Sequence, residues 1–132
     1  MGTYRAPVHR SRLTALAIDV PEGVHRREPD FWADALGTGQ RKDVDGDPYV
    51  DLDRRIGGLQ VFVQRLGDGE ARFHLDIETD DVDAEVARLE PLGATRVEHG
   101  RSWWVMRDPA DLLFCVVPPQ TDDFPGDAAT WE

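Results

Sequence analysis

A single cysteine, Cys115, stands in 132 residues, so no disulfide can form within the chain. Burial, not covalent staples, must hold the fold, and this fits a reducing compartment. Lysine is as scarce: Lys42 is alone among bases that are otherwise arginine, a skew that reads as coding bias and carries no chemistry. Nowhere do apolar residues run for the roughly 18 positions a membrane helix needs. The opening MGTYRAPVHRSRL has basic residues but no apolar stretch, so it is not read as a secretory leader. Positive charge is also short. Fifteen Lys and Arg face 26 Asp and Glu, a net charge of −11. That field repels nucleic acid and anionic membranes, is compatible with a cationic small ligand, and keeps a protein soluble whatever else it does. No phosphate-cradling glycine loop, Ser-His-Asp pattern, zinc-finger spacing or nucleic-acid motif occurs. The expectation is a soluble cytoplasmic protein with neither nucleic acid nor membrane as partner.

What is present suffices for one domain. Forty per cent of residues are hydrophobic, and a chain of this size buries about two-thirds of its unfolded surface. RLTALAIDV (12–20) is an apolar run closed by Pro21 and Gly23, a buried strand. A helix is expected over 29–36, with Pro29 at its first position, Gly37 at its stop, and Phe31, Trp32 and Ala35 on its apolar side. Strands follow near 40–44, 49–52 and 59–66, separated by Gly46-Asp47-Pro48 and Gly57-Gly58. The order then repeats. ARFHLDIET (71–79) alternates with period two, Asp81 caps a helix over 81–91, and strands follow near 95–98, 103–107 and 112–117. ALG at 35–37 and PLG at 91–93 end the two helices alike. The fold class expected is therefore α+β: two tandem βαβββ modules, 12–66 and 71–118, building a curved, mostly antiparallel sheet. Residues 1–11 and 119–132 read as loose terminal arms.

The segments FHLDIETDDVDAEVARLEPLGA and WWVMRDPADLLFCVV resemble the opening and closing parts of a glyoxalase-like module of the vicinal oxygen chelate superfamily. FWADALG and VFVQRL resemble the matching parts of a first module. The resemblance covers about 12–118. It implies a sheet curled around a cavity with helices on its outer side, and it spans lyases, isomerases, dioxygenases, transferases and drug-binding resistance proteins. Metal-using members carry one ligand on the first and one on the last strand of each module. By the resemblance those positions fall on Thr14, on Gln64 or Gln60, on His74 and on Cys115. The usual histidine and glutamate set is broken, so no metal and no cofactor is expected. Asp111 and Leu112 replace the Gly-Asn of the family's closing turn; aspartate tolerates the left-handed backbone such a turn needs.

If Phe73, Leu75 and Ile77 face the helix, then His74, Asp76 and Glu78 face the cavity. His74 would be the proton shuttle or hydrogen-bond donor, its tautomer fixed by Asp76. A hydrated sheet face with structural hydrogen bonds is the competing account. Trp103 and Trp104 point to opposite faces, and the resemblance places Trp104, with Met106, on the cavity side. Cys115, in an apolar strand, reads first as a small core residue. The function expected is binding of a small organic ligand, for which a cation is the electrostatically favoured kind, in a metal-free cavity lined by Thr14, Gln64, His74, Glu78, Trp104, Met106 and Cys115. The alternative is a lyase or isomerase of the glyoxalase type using His74 with Asp76 or Glu78. A homodimer is expected, because the sheet edges need cover.

Overall fold

A computed structural model describes residues 8–40 and 47–132. It has two compact units: residues 15–74, and residues 75–132 joined by the stretch that ends at Thr14.

In residues 15–74 the apolar run predicted at 12–20 is the greater part of strand β1 (His9–Pro21). A short helix α1 (Glu22–His25), not foreseen, turns the chain, and helix α2 (Glu28–Leu36) follows. Pro29 sits in its first turn and Gly37 ends it at φ 70, the left-handed conformation that glycine adopts without strain. Strands β2 (Tyr49–Asp51) and β3 (Gln60–Leu66) complete the unit. Strand β3 lies between the others, parallel to β1 and antiparallel to β2. The core is Ile18, Val20, Ala33, Leu52, Val61 and Val63, with Leu16, Trp32 and Ile56 packed on it. Phe31 and Ala35, expected on the apolar side of the helix, are exposed. Pro29 and Ala33 are buried instead, and Phe31 meets Trp32 edge-on at 5.1 Å. The strand expected near 40–44 is represented by one bridge, Gln40 to Leu52; the rest of it lies outside the described residues.

In the other unit β4 (Arg72–Thr79) passes in at Leu75. Helix α3 (Val82–Leu89) is capped by Asp81, whose carboxylate accepts from the Ala84 N–H at 3.0 Å. A 3-10 turn (Glu90–Leu92) and Gly93 in the left-handed conformation close it. Strands β5 (Thr95–His99), β6 (Trp104–Arg107) and β7 (Leu113–Val117) follow. The local order is β4-β7-β6-β5, with β4 and β7 parallel and the other pairs antiparallel. Val86, Met106 and Val116 form the core under the helix, with Val82, Leu89, Ala94, Trp104 and Phe114 around them. Asp111 holds the closing turn at φ 67, as the substitution for Gly-Asn predicts.

The element order repeats strand, helix and strands, and the α+β class is as the sequence predicts. The tail departs from the loose arm expected. Strand β8 (Ala129–Trp131) pairs antiparallel with residues 9–11 of β1, which are themselves ordered. Trp131 donates its indole N–H to Ser11 Oγ at 2.9 Å and lies 3.7 Å under the Arg88 guanidinium.

Candidate functional site

The side chains of a strand alternate between faces, and partners in register share a face. On β1, Leu16, Ile18 and Val20 enter the core, so Ala15, Ala17 and Asp19 point the other way. Register aligns Ala17 with Phe62 and Asp19 with Gln64 on β3, and Gln64 in turn with Tyr49 on β2. The face of residues 15–74 turned away from the helix therefore carries a row Asp19, Gln64, Tyr49 beside Phe62.

His74, the last residue of this unit, joins that face. Its Nδ1 is 2.5 Å from Asp19 Oδ2, and the two side chains are 10% and 2% exposed. The Arg72 Nε lies 3.6 Å from the same oxygen. The Phe62 ring stands edge-on to the imidazole at 6.3 Å, and Tyr49 meets Phe62 edge-on at 5.8 Å. An ionised carboxylate only accepts hydrogen bonds, so Asp19 holds the Nδ1–H tautomer and makes Nε2 the basic nitrogen of the neutral ring. The carboxylate at Nδ1 is thus Asp19, where the sequence pointed to Asp76. Its signal was legible in retrospect: Asp19 is the one acid in the apolar run 12–20. Asp19 Oδ1 is buried and finds no hydrogen-bond partner among the described residues. Gln60, considered as an alternative to Gln64, is tied to the backbone carbonyls of Leu52 and Val61 at 3.0 and 3.2 Å.

The remaining expected residues lie in the other unit. Glu78 is fully buried. Its oxygens accept from Arg12 Nε at 3.0 Å, from the Gln120 N–H at 2.9 Å and from the Thr121 hydroxyl at 3.0 Å. Burial works to raise its pKa and is outweighed by the Gln120 N–H, Arg12, Thr14 and Thr121, so the carboxyl is held below the usual glutamate value. The Thr14 hydroxyl, buried like Glu78, is one of those partners. Glu78 and Thr14 are thus engaged with each other and with the tail, where the sequence expected both to line a cavity. Asp76 and Cys115 are register partners on β4 and β7, both half-buried, and Cys115 is a free thiol.

Trp104 and Met106 correct a further expectation. Register places Trp104 opposite Val116 and Met106 opposite Phe114, the row that packs under α3. They belong to the core, not to a cavity wall. Met106 is fully buried. Trp104 closes the edge of that core against His99 at 4.6 Å and Arg96 at 5.0 Å. An open cleft of about 380 Å³ at the start of α3, lined by Asp80, Asp81, Asp83, His99 and Arg101, contains none of the expected site residues.

A twice-repeated order of strand, helix and strands is the architecture of a vicinal oxygen chelate protein. The chain belongs to the glyoxalase-like domain family, whose model matches residues 15–117. No curated protein sequence matches it significantly. Its fold is similar to that of methylmalonyl-CoA epimerase from Mycobacterium tuberculosis, at 17% identity and a TM-score of 0.57, over 83% of this chain and 88% of that one. A glyoxalase/bleomycin resistance protein/dioxygenase superfamily member from Vibrio splendidus is similar at 14% identity and a TM-score of 0.57, over 83% and 99%. A mutant 4-hydroxymandelate synthase from Streptomyces coelicolor is similar at 14% identity and a TM-score of 0.54, over 83% of this chain and 49% of its own. At these identities the likeness concerns the fold.

The metal that this superfamily implies can be tested against the residues present. The four family positions hold Thr14, Gln64, His74 and Cys115, a set without a carboxylate. The Thr14 hydroxyl is directed to Glu78 and the His74 Nδ1 to Asp19. A hard divalent ion prefers carboxylate and other oxygen donors, which these four positions alone do not supply; the carboxylate beside them is that of Asp76, the register partner of Cys115.

Proposed function

We propose that this glyoxalase-like protein binds a small organic molecule, without a resident metal, on the polar sheet face of residues 15–74. The observation that carries the reading is the buried Asp19–His74 pair at 2.5 Å, in register with Gln64 and edge-on to Phe62. The pair satisfies Asp19 Oδ2 and His74 Nδ1 and leaves the buried Asp19 Oδ1 without a donor among the described residues, a need that a bound molecule would meet. The Asp19 carboxylate holds the His74 ring in one orientation.

The same pair favours a second reading, a lyase or isomerase of the glyoxalase type in which His74 moves a proton. Asp19 then takes the orienting role that the sequence assigned to Asp76 or Glu78. Thermal-shift screening of small organic molecules tests the first reading, since a ligand that binds only the folded state must raise its apparent stability. His74→Ala is expected to weaken binding of the hits by about tenfold or more, the size of one lost charge-assisted contact, with the fold retained. Unchanged affinity returns His74 to a structural role, and one equivalent of zinc, nickel or iron by elemental analysis refutes the metal-free part.

The modules we assign are 12–66 and 71–118, and the assembly we propose is a cytoplasmic homodimer. Strand β5 ends the sheet order with all of its residues exposed, an edge that a second copy would cover. A monomer mass in light scattering at micromolar concentration refutes the dimer.

A further inference from the structure

Among the described residues three carboxylates are buried to 2% exposure or less: Asp19, Glu78 and Glu85. Both oxygens of Glu78 and of Glu85 accept hydrogen bonds, the latter from His9 and from both ends of the Arg88 fork. Asp19 differs. Oδ2 takes the His74 Nδ1–H and faces Arg72, while Oδ1 is buried with no donor among the described residues. An acceptor of that kind takes its donor from outside the chain, from a bound molecule or a water that such a molecule can displace. Its surroundings define the ligand further. Asp19 shares its face with the Phe62 and Tyr49 rings, which suit a flat π-system, and with Asp51, the register partner of Phe62. Among the described residues, Asp19 is the buried charge of this face, and Arg72 faces its Oδ2 and not its Oδ1. An anionic ligand would meet like charge and still leave Oδ1 without a donor.

We propose that Asp19 anchors the ligand, and that the ligand is a planar aromatic cation presenting an N–H to Asp19 Oδ1. This rests on the reading that the polar face of residues 15–74 is the binding site, and it names the chemical class that site selects. Gln64, between Asp19 and Tyr49 in the row, contacts the ring plane's edge through its amide.

The test is isothermal titration of the full chain with three matched probes: benzamidinium, benzamide and benzoate. Benzamidinium is expected to bind about tenfold or more tighter than benzamide, as a charge-assisted hydrogen bond does over a neutral one, with benzoate weakest. Asp19→Asn, which keeps the shape and the acceptor for His74, is expected to bring benzamidinium down to the affinity of benzamide. If that variant fails to fold, the ranking on the unaltered chain and the amide NMR shifts of Phe62, Gln64 and His74 decide alone. Benzoate binding as tightly as benzamidinium, with shifts at those residues, overturns the ligand class and leaves the site standing. An undiminished affinity for benzamidinium in Asp19→Asn overturns the anchor. Failure of every probe to shift those residues at millimolar concentration overturns both class and site.

Discussion

Asp19 and Glu78 are both acids on strands and both buried. They teach opposite things. Glu78 is saturated: Arg12, Thr121 and the Gln120 N–H occupy both oxygens, and Arg12 reaches on to Asp123 and Asp127 at 2.7 and 2.8 Å. Asp19 has one oxygen engaged and one without a donor among the described residues. A buried charge with every lone pair answered belongs to the architecture. One left partly unanswered must find its donor outside the chain, in water or in a bound molecule.

The sharpest way to break the comparison is to remove the cation from Glu78. Arg12→Ala leaves a fully buried carboxylate uncompensated, and the expected loss is about 3–5 kcal/mol, the range for breaking a buried pair from one side. Urea unfolding followed by circular dichroism measures it; a loss within experimental error would show that Glu78 is not held as described. A smaller effect should follow pH. Glu78 and Glu85 are both held below their ordinary value of 4.5 in the folded chain. Their stabilisation is therefore complete above that value and is lost as pH falls through the lower folded pKa values. Glu78→Gln should flatten the acid limb of the stability curve, and an unchanged limb would remove Glu78 from it. The smallest expected effect is at Asp19. Asp19→Asn removes a charge that is only half-compensated, so thermal melting should move by about 1 kcal/mol or less, in either direction. A loss as large as that of Arg12→Ala would erase the distinction between the two acids.

Much of the fold was legible because it rests on local pattern. Pro29 and Gly37 bracket α2, Asp81 caps α3, and the period-two run at 71–79 is β4, each within a residue or two of expectation. What was illegible depends on distant partners. Strand β8 was hidden by the acids of the tail, which read as a disordered end until Arg12 and Thr121 are seen to organise them. Adjacent tryptophans cannot reveal which one faces the helix, because that is decided by the register of β6 on β7. The site was half-legible. His74 stands out as a lone imidazole on an alternating strand, but its partner Asp19 looks in sequence like a blemish in an apolar run.

The two units also differ in how long the growing chain must wait for them. Asp19 meets His74 across 55 positions. Ser11 and Trp131 are 120 positions apart, and the Arg12 ion pairs with Asp123 and Asp127 span 111 and 115. A ribosome adding roughly 5–20 residues each second emits β1 several seconds before it emits β8. Through that interval the first residues of β1 lack their antiparallel neighbour and Arg12 lacks its tail acids. Every strand of the polar face of residues 15–74 has been emitted by then.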